Sequence, residues 1–493
     1  MLVPAGPNLA RARDLLTMES REVVVIGGGI AGLSAALALQ QDGRDFALLE
    51  AGPRLGGVIR TEAADGFIIE AGPDAILAQK PEGLALCRAL GLAGRLVPTN
   101  PRWHTVFVLH RGRLHPMPEG MMLAVPTRVL PFLRSRLFSW PGKLRMGMDV
   151  LLPRRGGDSD ESIASLLRRR FGDEAVDLLG EPLMAGIHAG NPEQLSIQAT
   201  FPRFVELERR HHSLIRGMWA SRPRGPAATR PAFYSLTGGL GEMVEALRCR
   251  LPAHAVRLGA RVKGLRREAG RFAVKLADGS LLTTESVILA VPAPAAAPLL
   301  AEMSPEAGLL LQTVPFASSA TVALGYRRED VAHPLDGYGM LVPRGERLRT
   351  SACSFVSSKF PGRAPEGHVL LRAFLGGARD ADLLELPDVE LAALARREMQ
   401  GILGLRGAPV LERVYRWPRA TPQMTVGHLE RMERLDRIVD GLPGLFLTGA
   451  GLHGAGIPDA IADGGRAARA AAGYVVAVPP SRLIHSARCP AAS

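Results

Sequence analysis

Cysteine is scarce. The chain of 493 residues carries four, and Cys87, Cys249, Cys353 and Cys489 stand far apart. They form no Cys-x-x-Cys pair and no metal-ligand spacing, so neither a disulfide framework nor a zinc site is supported. Such isolation suits a reducing compartment, and a cytoplasmic protein is expected. Lysine is scarce too: Lys80, Lys143, Lys263, Lys275 and Lys359 are five of 60 basic residues. The arginines are spread widely with no RNA-binding motif beside them, so nucleic acid is not an expected partner. They reflect either a compositional bias or a functional basic face. The formal net charge of +12 suits an anionic substrate or an anionic membrane surface. Aromatic residues make up only 5%, which disfavours an aromatic cage for a cation but not a long apolar tunnel. The first twenty residues hold no apolar run long enough for a signal-peptide core.

The length suggests more than one domain, and 47% hydrophobic residues are ordinary for a globular protein. Residues 1–20 read as a disordered extension or an artefact of start assignment, with Met18 just ahead of the first strand. Val23 to Leu39 is apolar enough to resemble a membrane span. Its clustered glycines argue instead for a strand (22–26), a turn and a buried helix (30–41). Asp45 to Leu49 reads as a second strand, which completes a βαβ unit. From 96 to 229 prolines cut short helices that mix apolar and basic residues. This stretch reads as a helical subdomain with either solvated arginines or a face leaning on a membrane. Ser159 or Asp160 is the expected N-cap of its central helix. Residues 256–291 read as strands with a hairpin turn at Asp278-Gly279. "PAPAAAP" (292–298) reads as a break between domains, and 296–424 as an α+β domain ending near "RWPRATPQ".

Gly27, Gly29 and Gly32 form G-x-G-x-x-G directly after a strand and at the start of a helix. Gly27 allows the tight turn, Gly29 a close approach to a pyrophosphate, and Gly32 close helix–strand packing. The unpaired N–H groups of the helix start favour an anion. Glu50 ends the second strand, where its carboxylate can accept hydrogen bonds from a ribose diol. Strand, helix and acid together predict dinucleotide binding. Gly56-Gly57, followed by Arg60-Thr61, extends the site beyond the ribose, as a longer cofactor requires. Gly72-Pro73-Asp74 is either a second close approach or an ordinary turn. A second glycine-rich unit, "LFLTGAGLHGAGIPDAIADGG", spans Leu445 to Gly465.

From Val23 to Ala472 the chain resembles the FAD-dependent amine-oxidase superfamily, and within it the porphyrinogen oxidases. "GGGIAGLSAALAL", "LLEAGPRLGGVIRT" and "DGFIIEAGPDAILAQKPEGLAL" carry the superfamily likeness. "EPLMAGIHAGNPEQLSIQATFPRFVELERRHHSLIRGM", "RWPRATPQMTVGHLERM" and "PGLFLTGAGLHGAGIPDAIADGGRAA" are more specific. The resemblance implies an α/β fold with a Rossmann-like FAD-binding domain of the GR2 or amine-oxidase type. That domain would be assembled from 21–95, 230–295 and 425–475. A helical subdomain (96–229), a substrate-binding α+β domain (296–424) and a tail (476–493) would complete the chain.

The implied cofactor is FAD, with contacts expected at Gly27, Gly28, Gly29, Ile30, Ala31, Gly32, Glu50, Ala51, Arg54, Gly57 and Val58. Ala71, Gly72, Pro73, Asp74, Val262, Trp417, Gly449, Ala455, Gly456 and Ile457 complete the expected set. The first glycine unit would hold the ADP half. The last would close on the ribityl chain and flavin ring, with Pro458 starting a helix aimed at the ring. No metal and no dedicated catalytic base are expected. The implied reaction is six-electron oxidation of a porphyrinogen to a porphyrin in haem biosynthesis, with O2 as acceptor and H2O2 as by-product. "LHRGRLHPMPEG" and its continuation resemble members that oxidise coproporphyrinogen III; protoporphyrinogen IX is the alternative substrate. Lys80 aligns with a substrate-contacting lysine. Val106 falls where some members place an arginine for a propionate, with Arg102 four residues earlier. A downstream haem-pathway enzyme and peripheral membrane contact are further implied partners. Another flavin amine oxidase or desaturase, or a non-enzymatic carrier with this fold, remains as a more distant reading.

Overall fold

The computed structural model describes residues 19–157, 159–221, 231–268 and 270–477. Most of the expected extension and tail lie outside the described residues. Glu19 and Ser20 are a correction, because they already pair with Leu282 and Thr283 in the first strand. Val476 likewise belongs to the last helix and not to a tail.

β1 (Glu19–Ile26) ends in Val23, Val24, Val25 and Ile26, all at most 3% exposed. A strand buried on both faces belongs inside a parallel sheet. β1 lies between β2 (Phe46–Leu49) and β3 (Leu281–Leu289), parallel to both. α1 (Ile30–Gln41) makes the crossover, and its Ala31, Gly32, Ala35 and Ala36 are buried because small residues let it approach the sheet closely. Val256–Arg257 edges this sheet beyond β2. Arg271–Leu276 and Val262–Glu268 extend it antiparallel beyond β3, through the hairpin expected at Asp278-Gly279, where Gly279 has φ +90°.

The chain returns to this sheet from far downstream. β4 (Leu445–Leu447) pairs in parallel with the end of β3, so Leu289 has Ile26 as neighbour on one side and Leu447 on the other. α2 (Ile457–Ala477) follows and packs along α1, Gly464 against Ala31. Three separated stretches therefore build one sheet.

A second, seven-stranded sheet runs in the order Leu411–Pro422, Phe316–Arg327, His368–Gly376, Thr350–Phe355, Gly339–Leu341, Val106–His110, Arg113–Pro116. Helix Asp388–Leu403 covers it with Leu391, Ala392, Ala395, Met399 and Leu403, the apolar stripe of an amphipathic helix.

Short helices between Val129 and Ala220 enclose a third core around Leu166, Leu167, Phe171 and Leu179. Three local expectations change. The stretch from 96 to 128 is not helical: Val106–His110 and Arg113–Pro116 form a hairpin in the second sheet, turned by Arg111 and Gly112 at positive φ. Ser162, not Ser159 or Asp160, caps the helix Ile163–Phe171, its Oγ accepting from Ser165 N–H at 3.1 Å. "PAPAAAP" is not a break, because helix Ala293–Ala301 begins there. Pro294 in the first turn forfeits no intrahelical bond, and the alanines favour helix enough to carry Pro298 in its interior.

Candidate cofactor site

The turn from β1 into α1 is shaped by sterics. Gly27 has φ +112°, and a Cβ there would lie 2.5 Å from the Ala290 carbonyl oxygen. A Cβ on Gly32 would lie 1.9 Å from the Gly27 carbonyl oxygen. Around a Cβ on Gly29, by contrast, no atom lies within 4 Å. Gly29 is the N-cap of α1 and supplies no side-chain cap. The first-turn amides of Ile30, Ala31 and Gly32 therefore stand at the positive end of a helix whose N-cap offers them no side-chain acceptor.

Glu50 sits at the carboxyl end of β2. Its Oε2 accepts from Gly28 N–H at 2.7 Å and its Oε1 from Gly52 N–H at 2.6 Å. Each oxygen retains a lone pair for a further donor. Ala260 N–H bonds to the Glu50 carbonyl at 2.8 Å, which brings the start of strand Val262–Glu268 beside the acid. Val262 is half-buried there, at a register shift in its pairing with Leu276.

Loop 51–58 lies against the turn. Gly56 N–H bonds to the Gly28 carbonyl at 2.8 Å, and a Cβ on Gly57 would meet Gly29 Cα at 3.3 Å. Ala51 and Val58 are exposed, and Val58 gives the site an uncovered apolar wall, 42% exposed. Arg54 spends its guanidinium on the loop itself, donating to the carbonyls of Leu55 (3.1 Å), Ile59 (3.1 Å) and Gly57 (2.5 Å). Burial, with Arg60 nearby, lowers its pKa against the opposing pull of Glu50. Its observed role is to shape the loop.

Segment 71–74 is held by residues of the second sheet. The Ala71 carbonyl accepts from Trp417 Nε1 at 2.8 Å and from Thr321 Oγ1 at 3.1 Å. Arg372 donates to the carbonyls of Glu70 (2.8 Å) and Gly72 (2.7 Å). A Cβ on Gly72 would lie 2.0 Å from the Val58 carbonyl oxygen, so glycine is required there. Trp417 flanks this contact, 3.6 Å from the same point. Past Pro73, Asp74 pairs with Lys359 at 2.9 Å and Arg372 at 3.4 Å. Burial alone would raise its carboxyl, but the two cations outweigh it and hold the pKa at about 2. Lys359, Arg372 and Thr321 had no local signal in the sequence, since they lie some hundreds of residues from the segment they hold.

At the far end, Gly449 has φ +127°, and its N–H bonds to Asp463 Oδ2 at 3.1 Å. Ala455, Gly456 and Ile457 form the entry to α2, where Asp459 Oδ2 accepts from Gly456 N–H at 3.2 Å. Lys80 reaches this point as well, its Nζ paired with Asp459 Oδ1. Arg102 lies over the ring of Trp103, 4.7 Å to the centroid, and Val106 starts an inner strand. His188 is half-buried against Phe201, and burial lowers its pKa to about 4, so it is neutral at ordinary pH. Among the described residues no group of three or more His, Cys, Asp or Glu side chains could hold a metal ion. A cleft of about 800 Å³ lies elsewhere, rimmed by Arg154, Arg155, Arg209 and Arg210 on the helical region.

An uncapped helix start with open space before Gly29, an acid at the end of β2 and a second glycine loop on the same sheet fit FAD. The pyrophosphate would meet the α1 amides, and Glu50 would take a ribose hydroxyl.

Comparison with known proteins agrees. Over 460 residues the chain is 37% identical to the coproporphyrinogen III oxidase of Bacillus subtilis (strain 168), covering 91% of this chain and 97% of that one. It is 32% identical to chloroplastic protoporphyrinogen oxidase 1 of Spinacia oleracea, covering 87% and 80%. A crystal structure from Exiguobacterium sp. 255-15 matches with a TM-score of 0.81 at 34% identity, covering 92% of this chain and 98% of that one. The model of the flavin containing amine oxidoreductases matches residues 30–472. With its paired glycine turns on one sheet and that match across most of its length, the chain belongs to the flavin containing amine oxidoreductase family.

Proposed function

We propose that this chain is an FAD-dependent oxidase that converts coproporphyrinogen III to coproporphyrin III. The observation that carries the reading is the 37% identity to a coproporphyrinogen III oxidase across nearly the whole of both chains. Two further coproporphyrinogen III oxidases are similar over most of the chain, at 35% and 32% identity.

In this reading the substrate loses six electrons and six hydrogens, and three O2 take them up as three H2O2. Bound flavin supplies the two-electron chemistry. The protein binds and orients. Gly27 to Gly32 and Glu50 hold the nucleotide end. Trp417, Arg372 and Lys359 fix segment 71–74 against loop 51–58, so that segment forms a rigid wall. Lys80, poised on Asp459 beside the start of α2, offers a cation to a substrate carboxylate. Aromatisation provides driving force, so no dedicated base is assigned.

No helix among the described residues is long and apolar enough to cross a membrane. We read the protein as cytoplasmic, touching a membrane at most peripherally. Leu130, Trp140, Leu144 and Leu151 support such contact, being 56%, 64%, 71% and 77% exposed on the helical region.

The test is anaerobic reduction of the protein-bound flavin by each porphyrinogen in turn, with peroxide measured after air is admitted. A higher kcat/KM on coproporphyrinogen is expected. A higher value on protoporphyrinogen, the substrate named for the spinach relative, overturns the assignment.

A further inference from the structure

The loop between β4 and α2, residues 448–456, carries the second glycine-rich run. Helix His428–Asp440 lies beside it and grips it twice. His428 opens the helix and is fully buried. Its Nε2 lies 3.0 Å from the Leu452 carbonyl oxygen, which can only accept, so that nitrogen carries a proton. Burial lowers the pKa of His428, and the ring is a neutral donor.

Asp436 lies eight residues on, about two turns along the same helix face. Its Oδ2 meets His453 Nε2 at 3.0 Å. His453 is the loop's own histidine, and its Nδ1 faces Asp463 Oδ1 of α2 at 3.6 Å. Asp463, in turn, accepts on Oδ2 from Thr448 Oγ1 at 2.8 Å and from Gly449 N–H at 3.1 Å. A chain of contacts thus runs from a flanking helix, through the loop, to α2 and the first glycine of the loop.

We propose that His453, seated between Asp436 and Asp463, is a positioning residue that latches loop 448–456 shut and sets how tightly the protein retains FAD. The inference rests on the reading of this loop as part of the flavin site. Neutral imidazole has one N–H and can donate to only one of the two acids; its other nitrogen would face a carboxylate lone pair to lone pair. Charged imidazolium donates to Asp436 at 3.0 Å and pairs by charge with Asp463 across 3.6 Å. Asp436 and then Asp463 accordingly push the pKa of His453 up to about 9.

The surrounding charges are few. Arg466 of α2 also pairs with Asp463 Oδ1. Asp463 therefore keeps a counter-cation without the histidine, and what His453 adds is the tie between the two helices. Arg431, Asp160 and His453 itself act on His428, the other histidine that holds the loop. Below pH 9 the latch is closed. Above it His453 loses its proton, and one contact must open.

The experiment measures release of FAD from holoenzyme by recovery of flavin fluorescence between pH 7 and 10. Wild type is expected to release FAD about tenfold faster at pH 10 than at pH 7. His453→Gln and Asp436→Asn are expected to release fast at pH 7 and to show no step near pH 9. His453→Lys, which keeps the charge, is expected to restore retention in part. Asp436 is 45% exposed, so its variant is expected to fold even where the histidine variants do not. A flat wild-type profile, or variants that hold FAD as wild type does, overturns the latch. A wild-type chain that takes up no FAD at all overturns the function proposed above and the latch with it.

Discussion

Gly464 of α2 rests on the backbone of Ala31 in α1: a Cβ at Gly464 would lie 2.2 Å from the Ala31 carbonyl oxygen. The two residues stand at opposite ends of the chain, yet their contact sets the distance between the two glycine turns. Only a helix without a side chain at that point can come so near.

Substituting Gly464 with alanine therefore forces α2 away from α1. The expected cost is about 1–3 kcal/mol, the range for overpacking a tight contact. Melting temperature and flavin content per chain are both expected to fall. An Ala variant with full flavin and unchanged melting would show that the helices separate at no cost.

Glu50→Gln keeps the shape of the side chain but turns one acceptor into an NH2 group facing a backbone N–H. The bonds to Gly28 and Gly52 cannot both survive. Charge-assisted bonds are worth about 1.5–3 kcal/mol. FAD affinity is expected to drop by roughly tenfold to a hundredfold, measured by titrating apoprotein with FAD.

Asp74 contributes to acid stability. Its pKa in the fold is about 2, against 3.8 for a free aspartate. A carboxyl depressed on folding stabilises above its unfolded pKa, and that stability is lost as pH falls from near 4 through 2. The loss amounts to about 2 kcal/mol. Asp74→Asn is expected to be less stable than wild type at pH 7, with the gap closing as pH approaches 2. Denaturant melts across that window read the difference; a gap independent of pH would contradict the ion pairs with Lys359 and Arg372.

The exposed apolar residues of the helical region make a separate test. The double substitution of Leu144→Ser and Leu151→Ser removes two of the most exposed side chains, neither near the glycine turns. Cosedimentation with anionic lipid vesicles is expected to fall, while turnover of porphyrinogen in detergent-free buffer is unchanged. Wild type that fails to sediment at all would remove the membrane from the reading.

Much of the nucleotide half was legible because its constraints are local. Gly32 needs its small size against the Gly27 carbonyl in the same turn, and helix Ile30–Gln41 appears where small residues follow a buried strand. Helix Asp388–Leu403 carries the same kind of local signal, in the spacing of its apolar residues. The hairpin of Val106–His110 and Arg113–Pro116 was missed because it completes a sheet whose other strands lie far downstream. The helix at "PAPAAAP" was missed because Pro294 in its first turn and Pro298 in its interior look like prolines that end a helix. Arg54 was expected to face the cofactor; its guanidinium donates to three loop carbonyls, those of Leu55, Gly57 and Ile59.

The order of the amino acids alone marked the first turn, its acid at Glu50 and the glycine run that begins at Gly449, since each shows in residue type and spacing. The tertiary structure decided which groups hold that site in shape. Lys80 meets Asp459 across 379 positions, and Lys359 meets Asp74 across 285. His453 finds one acid on each of two helices. Ion pairs of this kind depend on distance in space, and a linear sequence records distance only along the chain.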